Sequence, residues 1–151
     1  MPFVVRDATM EDLPALQEVF RRSSLSNLSD RDSLLAQPEA LEFAPTVLAG
    51  GRVRVATDGR GEAIGFTTTA VDDRPLELVD LFVDPDWTRR GVGRALLGDV
   101  VGFARTMRIG RVEVTGNPDS YAFYAAVGFV RDRNVVTDFG PAGRLHLDVE
   151  P

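Results

Sequence analysis

Leu81-Phe82-Val83-Asp84-Pro85-Asp86-Trp87-Thr88-Arg89-Arg90-Gly91-Val92-Gly93-Arg94-Ala95-Leu96-Leu97 carries an apolar segment through a turn into an arginine cluster and a helical pattern. Its apolar start belongs to a longer run, Leu76 to Val83, interrupted only by Glu77 and Asp80. A strand with apolar residues on both faces is expected at the centre of its sheet. Asp84-Pro85-Asp86-Trp87 ends that strand. Val92, Leu96, Val100, Phe103 and Met107 then recur at helical spacing. Gly91-Val92-Gly93 therefore falls where a helix begins. Backbone N–H groups there lack intrahelical partners and sit at the positive end of the helix dipole. The glycines let a phosphate approach them without a Cβ in the way. Arg89, Arg90 and Arg94 surround the site with positive charge. A dinucleotide fingerprint would need glycine at position 96, which is Leu96. The plain alternative is a solvated arginine run on a helix cap.

Working outward, Gly98 and Gly102 lie inside this helix, so close packing on the sheet is expected to compensate them. Gly110 is placed to end it. Arg111 to Thr115 forms the next strand. Asn117 caps a following helix, with Pro118 in its first position and Gly128 at its end. Phe129 to Val136 and Arg144 to Val149 read as two further strands, with Gly140-Pro141 between them. Upstream, Phe3 to Asp7 is a short strand. Thr9 with Asp12 makes a capping box for a helix from Met10 to Arg22 carrying Leu13, Leu16 and Phe20. Ser29 with Asp32 offers a cap for a short helix bearing Leu34 and Leu35, which Pro38 interrupts, and Ala40 to Phe43 reads as another turn. Arg52-Val53-Arg54-Val55 alternates outward charge with inward valine. Asp58-Gly59 supplies a tight turn into a return strand that reaches about Val71, and Asp72-Asp73-Arg74-Pro75 makes the next turn. The order β-α-α-β-β-β-α-β-α-β-β predicts one α/β domain over residues 1–151.

The absences narrow the chemistry. The chain has no Cys and no Lys, and all 17 basic residues are Arg. Thiol nucleophiles, thiolate metal sites, Schiff-base lysines and the lysine of a nucleotide-binding P-loop are thereby excluded. His146 is the only histidine, so a His-rich zinc site is excluded too, and no metal is expected. On its strand, His146 is expected to have no catalytic role. What remains is catalysis by positioning, backbone dipoles, carboxylates and tyrosines. A net charge of −6 disfavours nucleic acid and anionic lipid. No apolar run approaches the ~18 residues of a membrane span, and the N-terminus lacks a signal-peptide pattern. A soluble, cytoplasmic protein that binds neither nucleic acid nor membrane is expected.

The quoted segment resembles the GCN5-related N-acetyltransferase family. In that pattern an apolar strand ends in a Pro-containing turn, and an R/Q-x-x-G-x-G/A loop opens a helix. The family's later Asn, Phe-Tyr and Gly-Phe are matched by Asn117, Phe123-Tyr124 and Gly128-Phe129. One departure is Thr88, which stands at the usual Arg or Gln. The resemblance covers nearly the whole chain. It implies a mixed, mostly antiparallel sheet of about seven strands with helices on both faces.

The same resemblance implies acetyl-CoA as donor and a small-molecule or peptide amine as acceptor. Two strands would splay beside the phosphate loop to admit the pantetheine arm. Leu81, Phe82 and Val83 would offer backbone bonds to it, with an N–H of Phe82 or Val83 holding the oxyanion. Arg89, Arg90, Gly91, Val92, Gly93 and Arg94 would hold the phosphates, Asn117 would bond the pantetheine as well as cap, and Tyr124 would protonate the departing thiolate. Tyr121 is the reserve for that role, and packing beneath the helix is the plain alternative for Tyr124.

For the base, Glu77 and Asp80 are the carboxylates in the central strand. Simple alternation puts them on opposite faces, and burial would raise either pKa. Glu77 is slightly preferred; a water relay, or an arginine partner for either residue, stays open. A non-catalytic acyl-CoA-binding or regulatory module of the same fold is the competing expectation. The last two strands could pair between subunits as a homodimer.

Overall fold

The computed structural model describes residues 3–26, 52–70, 75–137 and 140–150. The short helix expected after Ser29, the turn at Ala40 to Phe43 and the turn at Asp72 to Arg74 lie outside them. One seven-stranded sheet holds every described strand: β1 (Val4–Asp7), β2 (Arg52–Thr57), β3 (Ala63–Ala70), β4 (Leu76–Val83), β5 (Arg111–Gly116), β6 (Val130–Thr137) and β7 (Gly140–Asp148). Their order is β1-β2-β3-β4-β5-β7-β6, which puts β4 at the centre, as its apolar run predicts. Only β4 and β5 are parallel; every other pair is antiparallel.

Helix α1 (Leu13–Ser26) covers one face, where Leu16 and Val19 pack on Val53, Val55 and Phe66. Helix α2 (Val92–Thr106) covers the other. There Leu97, Val100 and Ala104 share a core with Leu76, Leu78, Val112 and Val114. Helix α3 (Tyr121–Val127) adds Tyr124 to that second core.

Local chemistry explains several element ends. Met10–Asp12 is a short 3-10 turn leading into α1, and the Thr9 N–H donates to Asp12 Oδ2 at 2.7 Å. The Arg6 guanidinium, and then the Thr9 N–H, hold the Asp12 carboxyl down to about 2. Asn117 Oδ1 accepts from the Ser120 N–H at 3.1 Å and starts a 3-10 turn, Pro118–Ser120, that runs into α3. Gly128 closes α3 in the left-handed region, as its position predicts.

The β2–β3 connection stands where Asp58-Gly59 predicts it. It runs to Glu62, because Asp58 Oδ1 accepts from both the Arg60 and Glu62 N–H groups. Three expectations, about a helix end, a connector and two glycines, are corrected. Helix α2 is ended by Arg108 at φ 56, not by Gly110; the Ile109 N–H then reaches back to the Ala104 carbonyl at 2.8 Å. Gly140-Pro141 is no connector, since β7 already begins there and pairs with Val136 and Thr137. Gly98 and Gly102 do not pack closely on the sheet. A Cβ at either position would meet nothing within 4 Å.

That last correction gives a stability prediction. Gly98→Ala should stabilise the fold by about 0.5–1 kcal/mol, because alanine lowers the entropy of the unfolded chain and no contact is crowded. A urea titration checks it, and an unchanged or lower midpoint would contradict it.

β4 also departs from simple alternation. Thr68 pairs with Asp80 and Thr69 with Leu78, leaving Val79 as an extra residue, 56% exposed. Such a bulge shifts the facing of everything beyond it. Glu77 pairs with Ala70, and Ala70 lies two residues from Thr68 on β3. Glu77 and Asp80 therefore share the α1 face, and the expectation of opposite faces is overturned. The exposure of Val79 likewise corrects the expectation that β4 is buried on both sides along its whole length.

Candidate active site

The parallel contact between β4 and β5 is three pairs long: Leu76 with Val112, Glu77 with Glu113, and Leu78 with Val114. Beyond Leu78, β4 stays paired to β3, while β5 stays paired to β7 through Gly116. A gap therefore opens between β4 and β5 and leaves their facing backbone groups without ladder partners. The Asp84 N–H donates to the Ile64 carbonyl on β3 at 2.8 Å. Strand alternation then turns Phe82 toward β3 and directs the N–H and C=O groups of Leu81 and Val83 into the gap.

The residues expected to hold phosphates stand next to that gap. Leu81, Val83, Gly91, Val92, Gly93 and Arg94 help line a cleft of about 410 Å³, closed on the α3 side by Phe123 and on the α1 side by Ser23 and Ser26. Arg89 and Gly91 are both left-handed, at φ 64 and φ 84, with Arg90 between them. Alternating backbone handedness of this kind turns successive N–H groups toward one point, a geometry suited to an anion. Gly93 serves a different end. A Cβ there would lie 3.3 Å from the Phe123 ring, so glycine lets α2 approach α3.

The arginines divide by partner. Arg6, Arg22, Arg54, Arg111 and Arg144 are ion-paired to carboxylates. Arg90 lies over the Trp87 ring at 5.0 Å. Arg89 and Arg94 line the cleft and form no ion pair with a described residue. Thr88 does not replace the missing cation, because its hydroxyl donates to the Pro85 carbonyl at 3.1 Å.

Sequence reasoning missed Arg22. From α1 it donates to Asp84 Oδ2 at 2.7 Å and Asp86 Oδ2 at 3.0 Å, tying α1 to the turn that precedes the loop. No local signal joins residues so far apart in sequence.

Tyr124 is 6% exposed, between Phe123 and Phe129, with ring centroids at 5.1 and 5.3 Å. Its ring lies against Gly116, on the β5 side of the gap. Burial pushes its phenol up to about 12. The hydroxyl makes no hydrogen bond to a described residue. Tyr121 carries Arg131 over its ring at 4.9 Å. Neither Tyr124 nor Asn117 lines the cleft itself.

The two carboxylates differ in their surroundings. Glu77 receives a two-pronged bond from Arg144, at 2.7 and 2.9 Å. Among the described residues Asp80 accepts only from the Thr68 hydroxyl, and burial raises its pKa above the ordinary carboxylate value, with the Thr68 bond opposing. His146 pairs with Asp132 at 2.7 Å. Among the described residues, no His, Asp or Glu cluster is arranged to hold a metal ion, and no helix is long and apolar enough to cross a membrane.

Comparison with known proteins agrees with this geometry. Residues 13–129 match the family model described as the acetyltransferase (GNAT) family. The chain is similar in structure to the PaiA N-acetyltransferase of Thermoplasma acidophilum, solved in complex with coenzyme A. The TM-score is 0.77 at 19% identity, over 98% of this chain and 99% of that one. For the ribosomal-protein-S18-alanine N-acetyltransferase of Escherichia coli the TM-score is 0.75 at 20% identity, over 99% and 96%. For the phosphinothricin acetyltransferase of Sinorhizobium meliloti, in complex with AcCoA, it is 0.73 at 20% identity, over 99% and 89%. No curated protein sequence matches the chain. These likenesses extend over the gapped sheet and the loop beside it, and the family match spans most of the sequence: the chain belongs to the GNAT family of acetyltransferases.

Proposed function

We propose that this protein transfers an acetyl group from acetyl-CoA to a primary amine by direct attack. The observation that carries the proposal is the gap between β4 and β5 beside a left-handed, arginine-flanked loop. The loop suits the CoA phosphates, with Arg89 and Arg94 supplying charge. The pantetheine arm runs into the gap against Leu81 and Val83 as an added strand. Val83, rather than Phe82, donates to the thioester oxygen, because its N–H turns away from β3.

The amine nitrogen attacks the thioester carbon, the C–S bond breaks, and the acetyl group ends as an amide. Tyr124 gives its proton to the departing thiolate and recovers one from solvent. The raised phenol pKa keeps that proton in place at neutral pH, and burial disfavours the thiolate in the same direction. Asp80 takes the proton lost by the ammonium, directly or through water. Its desolvation, and the lack of a cationic partner among the described residues, suit a base. Glu77, held by Arg144, suits that role poorly. The coenzyme A in the Thermoplasma structure and the AcCoA in the Sinorhizobium structure support acetyl-CoA as donor, and the names of the similar proteins point to a peptide or small-molecule amine as acceptor.

Thr88 favours a second reading, a CoA-binding module without turnover, because its hydroxyl is spent on Pro85. Titration calorimetry with acetyl-CoA, CoA and ATP, joined to thiol release across an amine panel, separates the two. Preference for CoA compounds with turnover supports the enzyme. Binding without turnover supports the module, and no preference would overturn both. In the same assay Gly91→Val should weaken acetyl-CoA about tenfold, since a β-branched residue at positive φ strains the loop. Unchanged affinity in a folded variant would show that the loop does not hold the phosphates.

A further inference from the structure

Glu77 and Glu113 stand directly opposite each other in the parallel ladder between β4 and β5. Like charges in that relation push neighbouring strands apart. This seam is also the shortest in the sheet, with three pairs joining the β1–β4 half to the β5–β7 half. Arg144, from β7, lies across it. One guanidinium nitrogen is 2.7 Å from Glu77 Oε2 and 3.0 Å from Thr115 Oγ1. The other is 2.9 Å from Glu77 Oε1 and 3.0 Å from Glu113 Oε1. Guanidinium is the side chain suited to this task, because its flat fork satisfies one carboxylate with two bonds and still reaches a second. The Arg144, Glu113 and Glu77 side chains are 17%, 20% and 36% exposed, so solvent screens the node only in part.

Immediately past this row, after Leu78 and Val114, the strands part. Arg144 thus stands at the apex of the gap. We infer that Arg144 is a positioning residue that sets the opening between β4 and β5, and with it the separation at which the edge of Leu81 and Val83 meets the pantetheine arm. This inference rests on the proposal that acyl-CoA occupies the gap. Arg144 itself touches no reacting atom. Removing it leaves two half-buried carboxylates facing each other across the weakest seam, and the strands widen where the ligand must fit.

The test compares two ligands on the full chain. Acetyl-CoA engages both loop and gap; the phosphorylated ADP that forms the nucleotide end of CoA engages only the loop. Arg144→Gln should weaken acetyl-CoA about tenfold while leaving the nucleotide within about twofold. Adding Glu113→Gln removes one of the opposed charges and should restore most of the acetyl-CoA affinity. Unchanged acetyl-CoA affinity in a folded Arg144→Gln variant would overturn the inference. So would an equal loss for both ligands, which would mark a general loss of stability. Should Arg144→Gln not fold, Arg144→Lys carries the same comparison, since an ammonium keeps the charge but loses the fork. A wild-type protein that binds acetyl-CoA no more tightly than the nucleotide would instead overturn the proposed occupancy of the gap, and this inference with it.

Discussion

Tyr124→Phe should lower turnover by about a hundredfold or more, the usual scale for losing a general acid, while acetyl-CoA affinity stays within about twofold. The substitution is clean for structural reasons. The ring is held between Phe123 and Phe129 and against Gly116, and phenylalanine keeps all of those contacts. The hydroxyl has no described hydrogen-bond partner, so removing it orphans none. Melting should therefore be nearly unchanged, and the loss should fall on kcat. The pH profile gives a second readout. With its phenol pushed up to about 12, Tyr124 stays protonated through the neutral range, so no alkaline limb near neutrality should come from this residue. Thiol release with saturating donor measures both. Equal turnover in wild type and variant would remove Tyr124 from the mechanism and return it to a packing role.

Much of this molecule could be read from local chemistry. Leu76 to Val83 identified the central strand because a doubly covered strand has little room for polar residues, and β4 is central. Asn117 and Gly128 marked the two ends of the segment that carries α3, because a cap needs a short acceptor and a left-handed terminus favours glycine. Gly91 was legible as the start of a helix, but not its left-handed φ of 84.

The failures share a different cause. Alternation along β4 predicted opposite faces for Glu77 and Asp80, and the bulge at Val79 reversed that relation. A bulge depends on the partner strand, which a one-dimensional pattern does not contain. Gly110 reads as the helix end because glycine is the usual left-handed cap; the chain instead places Arg108 in that conformation. Glu77 sat in an apolar run, and which arginine would meet it could not be read, because Arg144 is 67 residues away and on another strand. Arg22 with Asp84 is the same kind of contact. The sequence thus marked which residues carry chemistry more clearly than it marked which of them neutralise one another. That distinction is the ground for proposing Asp80 rather than Glu77 as the base.

Asp80→Asn should cut turnover at neutral pH by about a hundredfold, as expected for removing a general base, and should raise thermal stability at the same pH. The signs follow from one cause. Burial raises the Asp80 pKa in the folded chain above its unfolded value near 3.8. A carboxyl with that shift binds its proton more tightly when folded, so it penalises folding as pH rises from the unfolded value through the folded one. At neutral pH the charge is present in both states and the whole penalty applies. Asparagine removes the charge and can still accept from Thr68. The wild-type rate should rise on the acidic side as Asp80 ionises, and that limb should be lost from the residual rate of the variant. Melting curves above and below the carboxylate range, with kcat/KM against pH, test both halves. Loss of activity with loss of stability would mark Asp80 as structural. Gain of stability with full activity would leave a water chain, or Glu77 after release from Arg144, as the proton acceptor. Only opposite movements of rate and stability match a charge held under desolvation for catalysis, and Glu77→Gln serves as the control, because it breaks a two-pronged bond to Arg144 and should not raise stability as Asp80→Asn does.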